Sequence, residues 1–127
     1  KDEAKLAADM FDMRQKIAAS HTSHNIWDLK YARGGLFEAE FVVQFEVLTG
    51  KKVKSDSFVD NYNFLKIVQS AIRLTTHDGF DEAVATGTHK ATLAAASGQK
   101  SFAILKEKLI MAQGVVNSVF DNTFKKL

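Results

Sequence analysis

Apolar positions recur along this chain at the three- and four-residue intervals of a helix, and polar stretches divide them into five segments. Over residues 2–20, Leu6, Met10, Met13 and Ile17 share one helical face. Asp2 and Glu3 open that segment and Lys16 lies towards its end, the charge order that suits a helix dipole. The polar run from His21 to Asn25 predicts a loop. Residues 36–49 carry two apolar rows, Phe37, Phe41, Phe45 and Leu48 beside Leu36, Ala39, Val43 and Val47. Their length and i, i+4 spacing favour a helix over a strand, and a helix apolar on most of its circumference is expected in the middle of a bundle. Residues 50–57 form a polar turn into a third helix, with Ser57 and Asp60 as a capping box. That helix is predicted to run to about Thr76, with Phe58, Tyr62, Leu65, Gln69 and Ile72 on one face and Phe64, Ile67, Val68 and Ala71 beside them; Gly79 supplies its left-handed stop. An alanine-rich helix follows over about 89–97, ended by Gly98. Ser101 then caps a last helix, where Phe102, Leu105, Leu109, Ala112, Val116, Val119 and Phe124 keep the rhythm.

Four main helices, one short one and no hairpin predict an all-α fold, an antiparallel helical bundle, and 127 residues make it one domain. Composition changes this picture little. The absence of proline fits uninterrupted helices, since a proline inside one costs about 3 kcal/mol. The absence of cysteine excludes disulfides and thiolate metal sites and points to a reducing compartment such as the cytoplasm. A net charge of +2, with acids and bases interspersed, leaves no basic stripe for nucleic acid. No apolar run approaches the roughly 20 residues of a membrane span. The chain starts at Lys1, already inside a helical pattern and without a methionine, which predicts a fragment of a longer polypeptide.

Few residues offer chemistry. His21 and His24 have the spacing of two zinc ligands, but no cysteine or nearby helical carboxylate completes a set, so no metal site is expected and they read as loop histidines. His77, His89, Ser101 and Ser118 lack any triad or nucleophile-elbow context, and no catalytic residue is assigned. The stretch from Ile26 to Leu48 stands apart. It joins the single tryptophan, Trp27, to Lys30, Arg33, Gly34 and Gly35, and runs on into an apolar helix that carries Glu38, Glu40, Gln44 and Glu46. Two readings follow. Glycines before a helix leave N–H groups at its positive end, and with Lys30 and Arg33 they can form an anion site for a phosphate or a partner's carboxylate. Alternatively Lys30 or Arg33 pairs with Glu38 or Glu40 and pins the loop to the helix. Glu40 and Gln44, one turn apart on an otherwise apolar face, are expected to meet a polar partner.

These residues resemble a known family. WDLK, RGGL and EAEFVVQ are similar to the segment that opens the helical domain following each nucleotidyltransferase domain in glutamine synthetase adenylyltransferases, with matches at Asp28, Leu29, Lys30, Gly34, Gly35, Glu40, Phe41 and Gln44. Tyr62, Phe64, Leu65, Arg73 and Leu74 match a further helix of the family, Met13, Arg14 and Lys16 an earlier one, and residues 101–124 look like the closing helix of the whole enzyme. Ala39 and Glu38 depart mildly from the pattern, which prefers Ile or Leu and Asp there. The stretch from Leu48 to Tyr62 is shorter than the family's, which normally holds another helix.

The resemblance implies the C-terminal helical domain of an enzyme that moves AMP from ATP, with magnesium, onto a tyrosine of glutamine synthetase and removes it at a second active site. Its implied partners are the preceding nucleotidyltransferase domain, glutamine synthetase and, through the parent enzyme, the PII signalling protein. Its magnesium-binding carboxylates lie in that preceding domain, so this chain is expected to hold no cofactor and to be inactive alone. Lys30, Arg33, Gly34, Gly35, Glu40 and Gln44 become candidates for nucleotide contact or for a domain interface. A non-catalytic interaction module and the related helical domain of a PII uridylyltransferase are the alternatives.

Overall fold

The longest apolar rhythm of the sequence becomes the centre of the molecule. A computed structural model describes residues 3–20, 25–50, 52, 55–76 and 79–124. These form five helices and no strand: α1 (Glu3–Ser20), α2 (Leu36–Thr49), α3 (Asp56–Thr75), α4 (Gly87–Ala96) and α5 (Phe102–Phe124). The fold is all-α. Helix α5 packs against each of the other four. It can do so because Leu105, Leu109, Ala112, Val116 and Phe120 lie at i, i+3, i+4 spacing and are all buried. Each such leucine stabilises the fold by roughly 1.5–3 kcal/mol.

Helix α2 is therefore not the central helix that its composition predicts. Ala39, Phe41, Val42 and Phe45 turn inward, while Val47, 77% exposed, and Leu48 face outward with Glu40 and Gln44. Its end is as simple as its sequence: Gly50 takes the left-handed conformation at φ 75° and returns its N–H to the Glu46 carbonyl.

Two helix starts differ from expectation, each for a local reason. Ser55, not Ser57, caps α3, accepting the Phe58 N–H at 3.1 Å, because the hydroxyl must stand three residues before its donor. Helix α3 ends at Thr75 with Thr76 as its C-cap, as expected, but by other means than Gly79. The Thr75 and Thr76 hydroxyls bond back to the carbonyls of Ala71 and Ile72, and Thr76 turns extended. Thr86 caps α4 by accepting the His89 N–H, so that helix begins at Gly87. Ser101 and Gly98 act as predicted: Ser101 accepts the Ile104 N–H, and Gly98 sits at φ 78°.

Two helix faces also differ. On α1, Met10 is buried and Phe11 stacks on Phe120, while Met13 is exposed. On α3, Phe58, Leu65, Val68, Ala71 and Ile72 are buried and Ile67 points outward. His21, His24, His77 and the side chains of Arg14, Ile17 and Phe124 lie outside the described residues.

Candidate functional site: the loop from Asn25 to Gly35

Residues 25–35 form a folded plug between α2 and α5. Trp27 is 4% exposed and sits edge-on to Phe80 at 4.9 Å and stacked on Phe102 at 5.4 Å. Its indole N–H donates to Glu82 Oε1 at 2.9 Å, and Lys106 Nζ holds Glu82 Oε2 at 2.8 Å. Trp27 thus belongs to the core, and Glu82 answers its one polar atom. The Lys106 bond first, and the Trp27 bond second, hold the Glu82 carboxyl below the usual carboxylate range. A lowered folded value means the contribution is complete above the ordinary glutamate range and disappears as pH falls through the lowered one. Urea unfolding read by Trp27 fluorescence should therefore show stability falling with acid over that interval. Glu82→Gln should flatten that part of the profile; an unchanged profile would remove the link.

Chain reversal into α2 is made by the backbone. The Ala32 N–H bonds to the Asp28 carbonyl at 2.9 Å and the Gly35 N–H to the Ala32 carbonyl at 2.8 Å. The Leu29 and Lys30 carbonyls then accept the Leu36 and Phe37 N–H groups at 2.7 and 3.1 Å. The first N–H groups of α2, which a helix normally leaves open, are thus closed by its own preceding turn.

The glycines answer to packing. Gly34 stands at φ 76°, and a Cβ built on it would lie 1.8 Å from the Gln113 carbonyl oxygen on α5. A Cβ on Gly35 would lie 2.2 Å from the Leu29 carbonyl oxygen. Gln113 holds the same contact from the other side, donating its Nε2 to the Ile26 carbonyl at 2.8 Å.

Glu38 completes the plug. Its carboxylate is fully buried. Oε1 accepts the Gly34 N–H at 2.8 Å and Oε2 meets Arg33 Nε at 2.9 Å. Arg33 also reaches α5, donating from Nη2 to Asn117 Oδ1 at 2.9 Å and, more loosely, to Asp121 Oδ1 at 3.4 Å. A buried carboxylate needs such partners, and its place in the first turn of α2 adds the helix dipole.

Of the six residues singled out in the sequence, Arg33, Gly34 and Gly35 are engaged inside the plug. Their bonded donors go to Glu38, Asn117, Asp121 and the Ala32 carbonyl. Lys30, Glu40 and Gln44 instead lie on the surface, Lys30 with its ammonium 5.4 Å from the centre of the Tyr31 ring. Burial, and then the Glu40 carboxylate, push the Tyr62 hydroxyl upward.

Sequence reasoning missed Gln113, Asn117 and Asp121. Gln113 does leave a trace, as a polar residue one turn after Leu109 on the buried face of α5, where an apolar one fits the rhythm.

Among the described residues no group of three or more His, Cys, Asp or Glu could hold a metal ion. No described helix is long and apolar enough to cross a membrane.

No family model matches the chain, and no solved structure matches it. Curated proteins do. A bifunctional glutamine synthetase adenylyltransferase/adenylyl-removing enzyme of Caulobacter vibrioides is 28% identical over 145 aligned positions, covering 95% of this chain and 15% of that protein. Proteins of the same name from Brucella suis and Bradyrhizobium diazoefficiens are 30% and 35% identical over 107 and 74 positions, covering 65% and 58% of this chain and 11% and 7% of theirs. The Caulobacter alignment is longer than the 127 residues of this chain, so that relative carries residues this chain lacks. The chain thus spans no more than 15% of the length of these three relatives. Over nearly its whole length it is similar to a portion of the bifunctional glutamine synthetase adenylyltransferase/adenylyl-removing enzymes.

Proposed function

We propose that this chain is the C-terminal helical domain of a glutamine synthetase adenylyltransferase and supports the half of the enzyme that transfers AMP from ATP to a tyrosine of glutamine synthetase. ATP and magnesium belong, in this reading, to the preceding nucleotidyltransferase domain, and the helical domain has no catalytic residue of its own. Glutamine synthetase and the PII protein are partners of the whole polypeptide, which works in the cytoplasm.

One observation carries the docking role. Helix α2 is apolar on most of its circumference, yet only one side of it is covered. Its outward side combines the exposed Val47 and Leu48, the half-buried Leu36 and Val43, and the surface polar groups of Glu40 and Gln44. Exposed apolar residues rimmed by polar ones in this way mark a contact surface for a neighbour. Glu40 and Gln44, one turn apart, then give that neighbour two polar anchors at the centre of an apolar patch, and Lys30 a cation at its edge. The plug makes this face dependable, because the Glu38, Arg33 and Gly34 contacts set where α2 stands against α5.

The test uses the longer polypeptide with its nucleotidyltransferase domain. Glu40→Arg and Lys30→Ala should each lower adenylyl transfer to glutamine synthetase, Glu40→Arg by about tenfold, as for reversing a charge inside an interface. Thermal stability of the 127-residue chain carrying the same changes should stay within about 0.5 kcal/mol, because both residues are on its surface. Unchanged transfer kinetics in both variants would sink the proposal.

A further inference from the structure

We draw no further inference here: the strongest candidate, the cavity of about 660 Å³ between α3, the start of the plug and the turn at Gly79, Phe80 and Asp81, is lined by the carboxylates of Asp28 and Asp81 together with the guanidinium of Arg73, and with both signs of charge on its walls nothing in the structure shows what fills it.

Discussion

Gly34→Ala is expected to destabilise the chain by about 4 kcal/mol, a large fraction of the roughly 5–15 kcal/mol that holds an ordinary domain folded. Two costs combine. Gly34 occupies the left-handed region at φ 76°, which a Cβ disfavours by roughly 1–2 kcal/mol. The Cβ would also stand 1.8 Å from the Gln113 carbonyl oxygen, a backbone atom of the central helix that cannot rotate away. The loop must then lift off α5, loosening the Gln113–Ile26 hydrogen bond and the Arg33 bridge to Asn117. Gly50→Ala is the control. Gly50 has nearly the same φ, 75°, but nothing within 4 Å of the added atom, so it should lose only the conformational part. Urea midpoints followed by Trp27 fluorescence measure both, and equal losses would refute the role given to close approach.

Glu38→Ala should cost about 3 kcal/mol, the second largest effect of a single change in the plug. The substitution removes the acceptor of the buried Gly34 N–H and the carboxylate that meets Arg33 Nε. Glu38→Gln should cost less, since an amide oxygen can still accept from Gly34 while the ion pair is lost. Arg33→Ala takes the ion-pair partner from a buried carboxylate and should also destabilise, although the half-exposed arginine lets water take part of its place. Because the two residues act on one contact, the double variant Arg33→Ala/Glu38→Ala should lose about 1–2 kcal/mol less than the sum of the single losses. A strictly additive cycle, measured by chemical denaturation, would mean that the pair does not hold the loop.

These expectations concern a site whose residues were visible in the sequence but whose pairings were not. The cluster of Lys30, Arg33, Gly34 and Gly35 beside an acid-bearing apolar helix marked the region. The sequence permitted both an anion cradle and an internal ion pair, because a guanidinium and two glycine N–H groups suit an outside phosphate as well as a neighbouring carboxylate. Glu38 is near enough in sequence, four residues from Gly34, to be an internal acceptor. Asn117 and Asp121, more than eighty residues from Arg33, are not. Contacts at that separation leave no periodicity to read, and the folded arrangement alone brings them to Arg33.

Local chemistry settled the helices. The i, i+3, i+4 spacing of Leu105, Leu109, Ala112 and Val116, the absence of proline, the hydroxyl of Ser101 and the left-handed glycines at 50 and 98 act over one or two turns and need no distant partner. The same local evidence misplaced α2. Leu36, Val43 and Val47 are as apolar as any core residues, and apolarity alone says that a face is to be covered without saying by what. Packing gave the centre to α5, whose longer buried stripe can meet four helices at once, and left the outward side of α2 open. Packing likewise separated Arg33, Gly34 and Gly35, closed into the plug, from Lys30, Glu40 and Gln44 on the surface. Which donors remain available to a partner depends on which are already bonded within the fold, and that is a property of three-dimensional neighbours rather than of order along the chain.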